Sequence, residues 1–326
     1  MTAASAQGRQ RFRHEALLYS GDDEFLRATG RFIRDGVEAG EPTLVLVARA
    51  KVERLRDELG SLAGGVRFAD MAGVGANPGR IIPAWREFVD GHRASGRRLR
   101  GVGEPVWAER DRNALLECQR HEMLLNVAFE QAPSWWLLCP YDTSRLDAAV
   151  IAEAERGHPF VSAGGTSRSS ASYGGVAPDG TLDAPLDEPA ADAAELSFSW
   201  QSLAEVRTLV STAAARAGLL SARVADMVLA ANEVATNSLR HGGGSGVVRV
   251  WRHRDGVVCE ISDSGRIISA LVDRRRPGDG WRDGRGLWLV NHLCDLVQLR
   301  SSAAGTTVRL HMRRGWSGSG GGAQPG

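Results

Sequence analysis

Glu233, Asn237 and His241 recur at i, i+4 and i+8 in the stretch Ala231-Asn232-Glu233-Val234-Ala235-Thr236-Asn237-Ser238-Leu239-Arg240-His241, just before a glycine run. On a helix that spacing sets a carboxylate, an amide and an imidazole on one face. An acid and an amide one turn apart suit a magnesium-bound nucleotide, because a hard cation takes oxygen ligands and keeps several waters when few protein groups reach it. Asn237 is the natural magnesium ligand. Glu233, free of the metal, is placed to take a proton from an attacking hydroxyl or water. The spacing alone also suits an ordinary solvated helix.

Two further elements follow in order. Val257, Cys259 and Ile261 alternate with Val258, Glu260 and Ser262, the period of a strand, and the run ends in Asp263-Ser264-Gly265. A carboxylate leaving a strand can accept a hydrogen bond from an exocyclic amine such as that of adenine, and the glycine lets the backbone approach the base. A simple turn would carry the same residues. Next, Asp283-Gly284-Arg285-Gly286 precedes the apolar helical pattern from Leu287, leaving backbone N–H groups open for phosphate oxygens at a positive helix end. Between the two elements, residues 266–282 are rich in Arg, Gly and Pro and read as a lid, with an ordinary loop as the alternative. Strands over 295–301 and 306–312 close the region, and Thr306 brings a hydroxyl near the base.

These pieces need a scaffold. Val224, Met227, Val228, Ala231, Val234 and Ala235 form a small apolar face opposite the polar row, as a helix covering a sheet requires. An α+β domain follows, with helices on one face of a mixed sheet.

Residues 196–314 resemble the ATP-binding domain shared by gyrase, a class of heat-shock chaperones, histidine kinases and the MutL repair protein, most closely its compact anti-sigma-factor serine/threonine kinase branch. The resemblance implies ATP and Mg2+ as cofactors. It makes Glu233 the general base toward a protein serine, Asn237 the magnesium ligand and Asp263, with Gly265, the adenine acceptor. Gly284, Arg285 and Gly286 stand at the second glycine box, and Thr306 joins the cofactor-binding set. An anti-anti-sigma (STAS-type) protein, a sigma factor or both are the implied partners. One position departs: the family pattern D-x-G-x-G has glycine where this chain has Ile267. Two other functions stay in view, a sensor histidine kinase and an ATP-binding partner switch without phosphotransfer. A histidine kinase needs a phosphoacceptor hairpin ahead of its ATP domain, and Ser162 to Glu195, full of Ser, Gly, Ala, Pro and Asp, cannot form one. His121 lies instead inside the first half's helical pattern.

That first half alternates strand and helix patterns. Strands are expected at 16–19, 43–48, 66–69, 99–102 and 135–139, with amphipathic helices over 22–38, 51–59, 78–94 and 111–129. Thr43-Leu44-Val45-Leu46-Val47 is nearly continuous in apolar residues, which suits a strand covered on both faces. The expectation is an α/β domain with a doubly wound, mainly parallel sheet. The glycine stretch 72–79 lacks the lysine of a phosphate loop and reads as a strand-to-helix turn. His14, Glu104, Trp107, Tyr141 and Asp142 are candidates for a sensory pocket, since Gly103-Glu104-Pro105-Val106-Trp107 and Cys139-Pro140-Tyr141-Asp142 follow strand ends, where open sheets bind ligands. Turn residues without a ligand would look the same, and a lone histidine at a strand start is usually structural. Together with His14-Glu15-Ala16-Leu17-Leu18-Tyr19, Arg120-His121-Glu122-Met123-Leu124-Leu125-Asn126 and His158-Pro159, these segments resemble the MEDS sensory domain, related to the RecA-like fold. The resemblance implies a small organic ligand.

Composition agrees with two domains. The 326 residues are 43% hydrophobic, enough for two cores. A net charge of +1 gives no case for nucleic acid or an acidic membrane surface. The four cysteines lack C-x-x-C spacing, so they read as buried small hydrophobes in a reducing compartment. No apolar run reaches the roughly 20 residues of a membrane span, and a cytoplasmic location is expected. The map is a flexible N-terminus (1–13), a MEDS-like sensory domain (14–160), a linker (161–195), the ATPase domain (196–314) and a disordered tail (315–326). A homodimer is a further expectation. The function read from these residues is a cytoplasmic, ATP-dependent, anti-sigma-type serine/threonine kinase controlled by its sensory half.

Overall fold

Thr43–Val47 is a strand buried at every position, a pattern that only a sheet covered on both faces accommodates. The computed structural model describes residues 12–175, 185–269, 271–274 and 285–315. It divides into two units, one taking residues up to 75 and from 84 to 177, the other residues 76–83 and those from 178 onward.

The first unit runs β1 (Phe12–Tyr19), α1 (Gly21–Glu38), β2 (Thr43–Val47), α2 (Arg49–Leu59), β3 (Val66–Asp70), α3 (Met71–Val74), α4 (Ile81–Gly91), β4 (Leu99–Gly103), α5 (Arg112–Ala128), β5 (Trp135–Asp142), α6 (Ala148–Gly157), β6 (Phe160–Ala163) and β7 (Thr166–Ser169). The sheet order is β3-β2-β4-β5-β1-β6-β7. Every pairing is parallel except the β6–β7 hairpin. Helix α1 buries Phe25, Thr29, Phe32, Ile33 and Gly36, one stripe at helical spacing. Asp111 starts α5 by accepting the Ala114 N–H at 2.9 Å.

Two differences from the sequence reading have physical causes. β1 begins at Phe12 and β5 continues through Pro140 to Asp142, although proline offers the ladder no donor. β6 runs from the last residue of the expected sensory domain into the segment expected as a linker, and β7 lies wholly in that segment; β7 is exposed throughout, and a solvated edge strand has a connector's composition. Residues 1–11, 176–184, 270, 275–284 and 316–326 lie outside the described residues, and with them most of the expected lid and tail.

The second unit runs β8 (Ala194–Phe198), α7 (Leu203–Arg216), α8 (Ser221–His241), β9 (Gly246–His253), β10 (Gly256–Asp263), α9 (Arg285–Leu293), β11 (Leu296–Ser302) and β12 (Gly305–Arg313). Its order is β11-β12-β10-β9-β8. All pairings are antiparallel, correcting the expected mixed sheet. β10 and β11 do run the same way, as a strand-helix-strand passage suggests, but β12 inserts between them. Alternate residues Val248, Val250, Val257, Cys259, Ile261, Val308 and Leu310 face Val206, Val210, Met227, Ala231, Val234 and Val290 of the helices in one core. The four cysteines are buried and none is in a disulfide. No described helix is long and apolar enough to cross a membrane.

On the opposite face Arg309 Nε donates to Glu260 Oε2 at 3.0 Å, both side chains nearly buried. Removing Arg309 leaves the buried Glu260 carboxylate, among the described residues, only Arg249, 3.5 Å away and itself paired with Glu195. Arg309→Met should therefore destabilise the second unit by about 3 kcal/mol in urea unfolding. The double variant with Glu260→Met should recover most of that loss.

Candidate functional site

The apolar face of α8 decides where its polar row points. Met227, Ala230, Ala231, Val234, Ala235, Ser238 and Leu239 are buried, so Glu233 and Asn237 come out half-buried along the helix flank and His241 is exposed at its last turn. Arg223 anchors the start of the helix, donating to Asp295 Oδ2 at 2.7 Å and to the Leu293 carbonyl at 2.9 Å. Gly242 closes its end, its N–H donating to the Ser238 carbonyl.

Strand alternation then sets Asp263 on the face that carries Cys259 and Ile261, beside α8. Thr306 is its partner across the ladder, and Ser301 is the partner of Thr306. The Gly265 N–H donates to Asp263 Oδ1 at 2.7 Å, leaving the second carboxylate oxygen for another donor. The Thr306 hydroxyl donates to the Gly265 carbonyl at 2.8 Å and shares a 2.7 Å bond with Ser301. Ser301 Oγ also accepts the Ile267 N–H at 2.8 Å. These bonds staple residues 265–267 to the sheet end. Gly265 approaches α8 so closely that a Cβ there would lie 2.6 Å from Gly242 Cα.

A cavity of about 400 Å3 opens at this junction, a size suited to a small ligand. Asn237, Ser238, His241, Asp263 and Thr306 give it polar atoms, while Val234, Ile267, Ile268, Val272, Leu287 and Val308 give it apolar walls. Ile267 thus supplies wall where the family pattern has glycine. Gly286, in the first turn of α9, lies against the α8 row: a Cβ there would stand 3.1 Å from both Asn237 Nδ2 and Glu233 Oε2. Gly284 lies outside the described residues, and Arg285 is described only as the first residue of α9. Sequence reasoning missed Ser301, Ser238 and Gly242. The glycine run after His241 was the available signal for the last.

In the first unit the five pocket candidates go to different places. Glu104, at the carboxyl end of β4, accepts from Tyr19 at 2.7 Å and from Lys51 at 2.6 Å, and Lys51 also donates to the Tyr19 hydroxyl. Burial pushes the Glu104 carboxyl up, and Lys51 pulls it back. Asp142, opposite Tyr19 in the parallel register, accepts from the N–H and hydroxyl of Ser144, a local turn. Trp107 lies under the Arg110 guanidinium at 3.9 Å. Tyr141 instead meets His158 edge-on at 5.6 Å, and His158 lies 4.0 Å from the His14 ring. Burial, ahead of repulsion from His158, lowers the His14 pKa to about 4. Tyr19 and Lys51 were not singled out as site residues, because neither carries a motif.

Residues 13–159 match MEDS, described as MEthanogen/methylotroph, DcmR Sensory domain. Residues 196–312 match the Histidine kinase-like ATPase domain. The chain therefore joins a MEDS domain to a histidine kinase-like ATPase domain. A crystal structure of the RsbU and RsbW domains of Rv1364c from Mycobacterium tuberculosis is similar at 22% identity with a TM-score of 0.28, covering 37% of this chain and 32% of that one. The match thus spans about a third of that protein's chain. No curated protein matches.

The Lys51–Glu104 pair yields a pH-dependent prediction. A raised carboxyl costs stability once the pH exceeds its unfolded value, and Lys51 offsets that cost. Lys51→Met should lower stability by about 3 kcal/mol at pH 7. The deficit should shrink as the pH falls toward the ordinary carboxylate range and Glu104 takes a proton. Thermal unfolding across pH checks this.

Proposed function

We propose that this chain is an ATP-dependent protein serine/threonine kinase of the anti-sigma type, acting in the cytoplasm on a STAS-type anti-anti-sigma protein, a sigma factor or both. Its MEDS half senses a small organic compound and sets the activity. The observation that carries the reading is the approach of Gly286 to both Glu233 and Asn237, the acid and amide of α8. The apolar walls and the open oxygen of Asp263 suit adenine, and the N–H groups opening α9 suit phosphate.

In this reading Glu233 removes the proton from a partner's serine hydroxyl, the freed oxygen bonds to the terminal phosphorus of ATP, and ADP leaves. Asn237 would hold magnesium, which when bound supplies positive charge to the phosphates. Self-phosphorylation on histidine is disfavoured because His121 is only 1% exposed within α5. Among the described residues from 164 to 195 there is no helix to form a phosphoacceptor hairpin. A partner switch without transfer is the second reading, favoured by the Ile267 wall.

The test uses the full chain with radiolabelled ATP, Mg2+ and candidate partners. Label on a partner serine, reduced about 10²–10⁴-fold by Glu233→Ala with ATP still bound, is the expected result. Asn237→Ala should weaken ATP binding only when Mg2+ is present. Nucleotide binding without transfer supports the switch, and acid-labile label on the chain itself supports a histidine kinase.

A further inference from the structure

The MEDS unit holds a cluster that the kinase reading does not use. His14 on β1, Glu122 on α5, Cys139 on β5 and His158 just after α6 are all nearly or fully buried. One ligand atom from each lies within 4.8 Å of the others. His14 Nε2 is 3.0 Å from Glu122 Oε2 and 3.3 Å from Cys139 Sγ. His158 Nε2 is 3.2 Å from the same carboxylate oxygen.

The protons of both imidazoles are committed elsewhere. His14 Nδ1 faces Asn126 Oδ1 at 3.1 Å, and the Asn126 amide is oriented by its own Nδ2 donating to the Gly157 carbonyl at 2.9 Å. His158 Nδ1 faces the Ala154 carbonyl at 2.7 Å, an acceptor only. Each Nδ1 is therefore the donor, and each neutral ring turns its Nε2 lone pair inward. Two lone pairs thus converge on a carboxylate oxygen that has no proton to give them, and the Cys139 thiol proton can meet one of them, His14 Nε2 at 3.3 Å, leaving that of His158 unmet. Among the described residues Glu122 Oε1 and His158 Nε2 find no hydrogen-bond partner, although both are buried. Such a convergence of acceptors is costly unless a cation sits among them.

We propose that His14, Glu122, Cys139 and His158 form a closed, tetrahedral site for a zinc-class divalent cation. Two nitrogens, one oxygen and one sulfur are a zinc donor set, and zinc–ligand bonds near 2.0–2.3 Å put tetrahedral ligands roughly 3.3–3.6 Å apart, close to the 3.0–3.3 Å of the His14–Glu122, His158–Glu122 and His14–Cys139 contacts, all four atoms lying inside 4.8 Å. A carboxylate and a thiolate balance the two positive charges, so the loaded site is neutral and suits full burial. The thiol proton leaves to solvent on binding. Asn126 and the Ala154 carbonyl hold the two imidazoles in the ligating tautomer. With four protein ligands and no open position the ion is structural, tying α5 and the end of α6 to the β1–β5 ladder.

The test is metal analysis of the full chain purified under reducing conditions, with cobalt(II) as a spectroscopic substitute. The expected result is about one zinc per chain, and a cobalt form showing tetrahedral bands with thiolate-to-metal charge transfer. Cys139→Ser should remove the charge-transfer band. Asn126→Ala should weaken zinc binding by about 10–100-fold, and Asn237→Ala should leave it unchanged. Failure of the wild-type chain to retain zinc or cobalt overturns the proposal, as does a cobalt spectrum that Cys139→Ser leaves unaltered. Both contrary results are read from soluble protein and do not depend on the kinase assay.

Discussion

The rotation of α8 about its own axis is the constraint on which the ATPase half depends. Ala230, Ala231, Val234 and Ala235 are small and buried against the sheet, so the helix sits close and has little freedom to roll. A roll of one residue would carry Glu233 and Asn237 away from Gly286, and Asn237 away from the cavity. Arg223 at one end, held by Asp295, and Gly242 at the other fix the same rotation from outside the core. The chemistry of the row is thus set by residues that have no chemistry of their own.

A second layer of constraint is polar and local. Thr306, Ser301 and Asp263 each use a side-chain atom to hold residues 265–267 against the strand ends. Thr306 was expected near the base; it lines the cavity, but its hydroxyl proton is given to the Gly265 carbonyl. Its contribution is therefore to shape the wall. Ile267 fits the same description, anchored through its N–H and packed against the core.

Periodicity made much of this legible. The helix row at 233, 237 and 241 and the strand ending at Asp263 can be read from spacing, because each is a property of one element. The expected strands of the first half reappear with ends moved by a few residues, and β5 runs on through a proline that sequence rules would stop at. What could not be read are arrangements made by topology. His14 and His158 are brought together because β1 lies between β5 and β6, and no local pattern announces that. The Lys51–Tyr19–Glu104 triad and the insertion of β12 between β10 and β11 are of the same kind. Polar edge strands such as β7 escape for another reason, since a solvated strand lacks the apolar alternation that marks a half-buried one.

On the proposed function, the junction of α8, β10 and α9 is a nucleotide site whose base is read by Asp263. Calorimetric titration of the full chain with ATP and with GTP, each with Mg2+, tests it most directly. A carboxylate that reads the purine 6-position accepts from the adenine amine and opposes the guanine carbonyl there, so ATP should bind more than about tenfold tighter, and Asp263→Asn should erase most of that preference. Equal affinity for the two nucleotides, or a preference untouched by Asp263→Asn, would contradict the account.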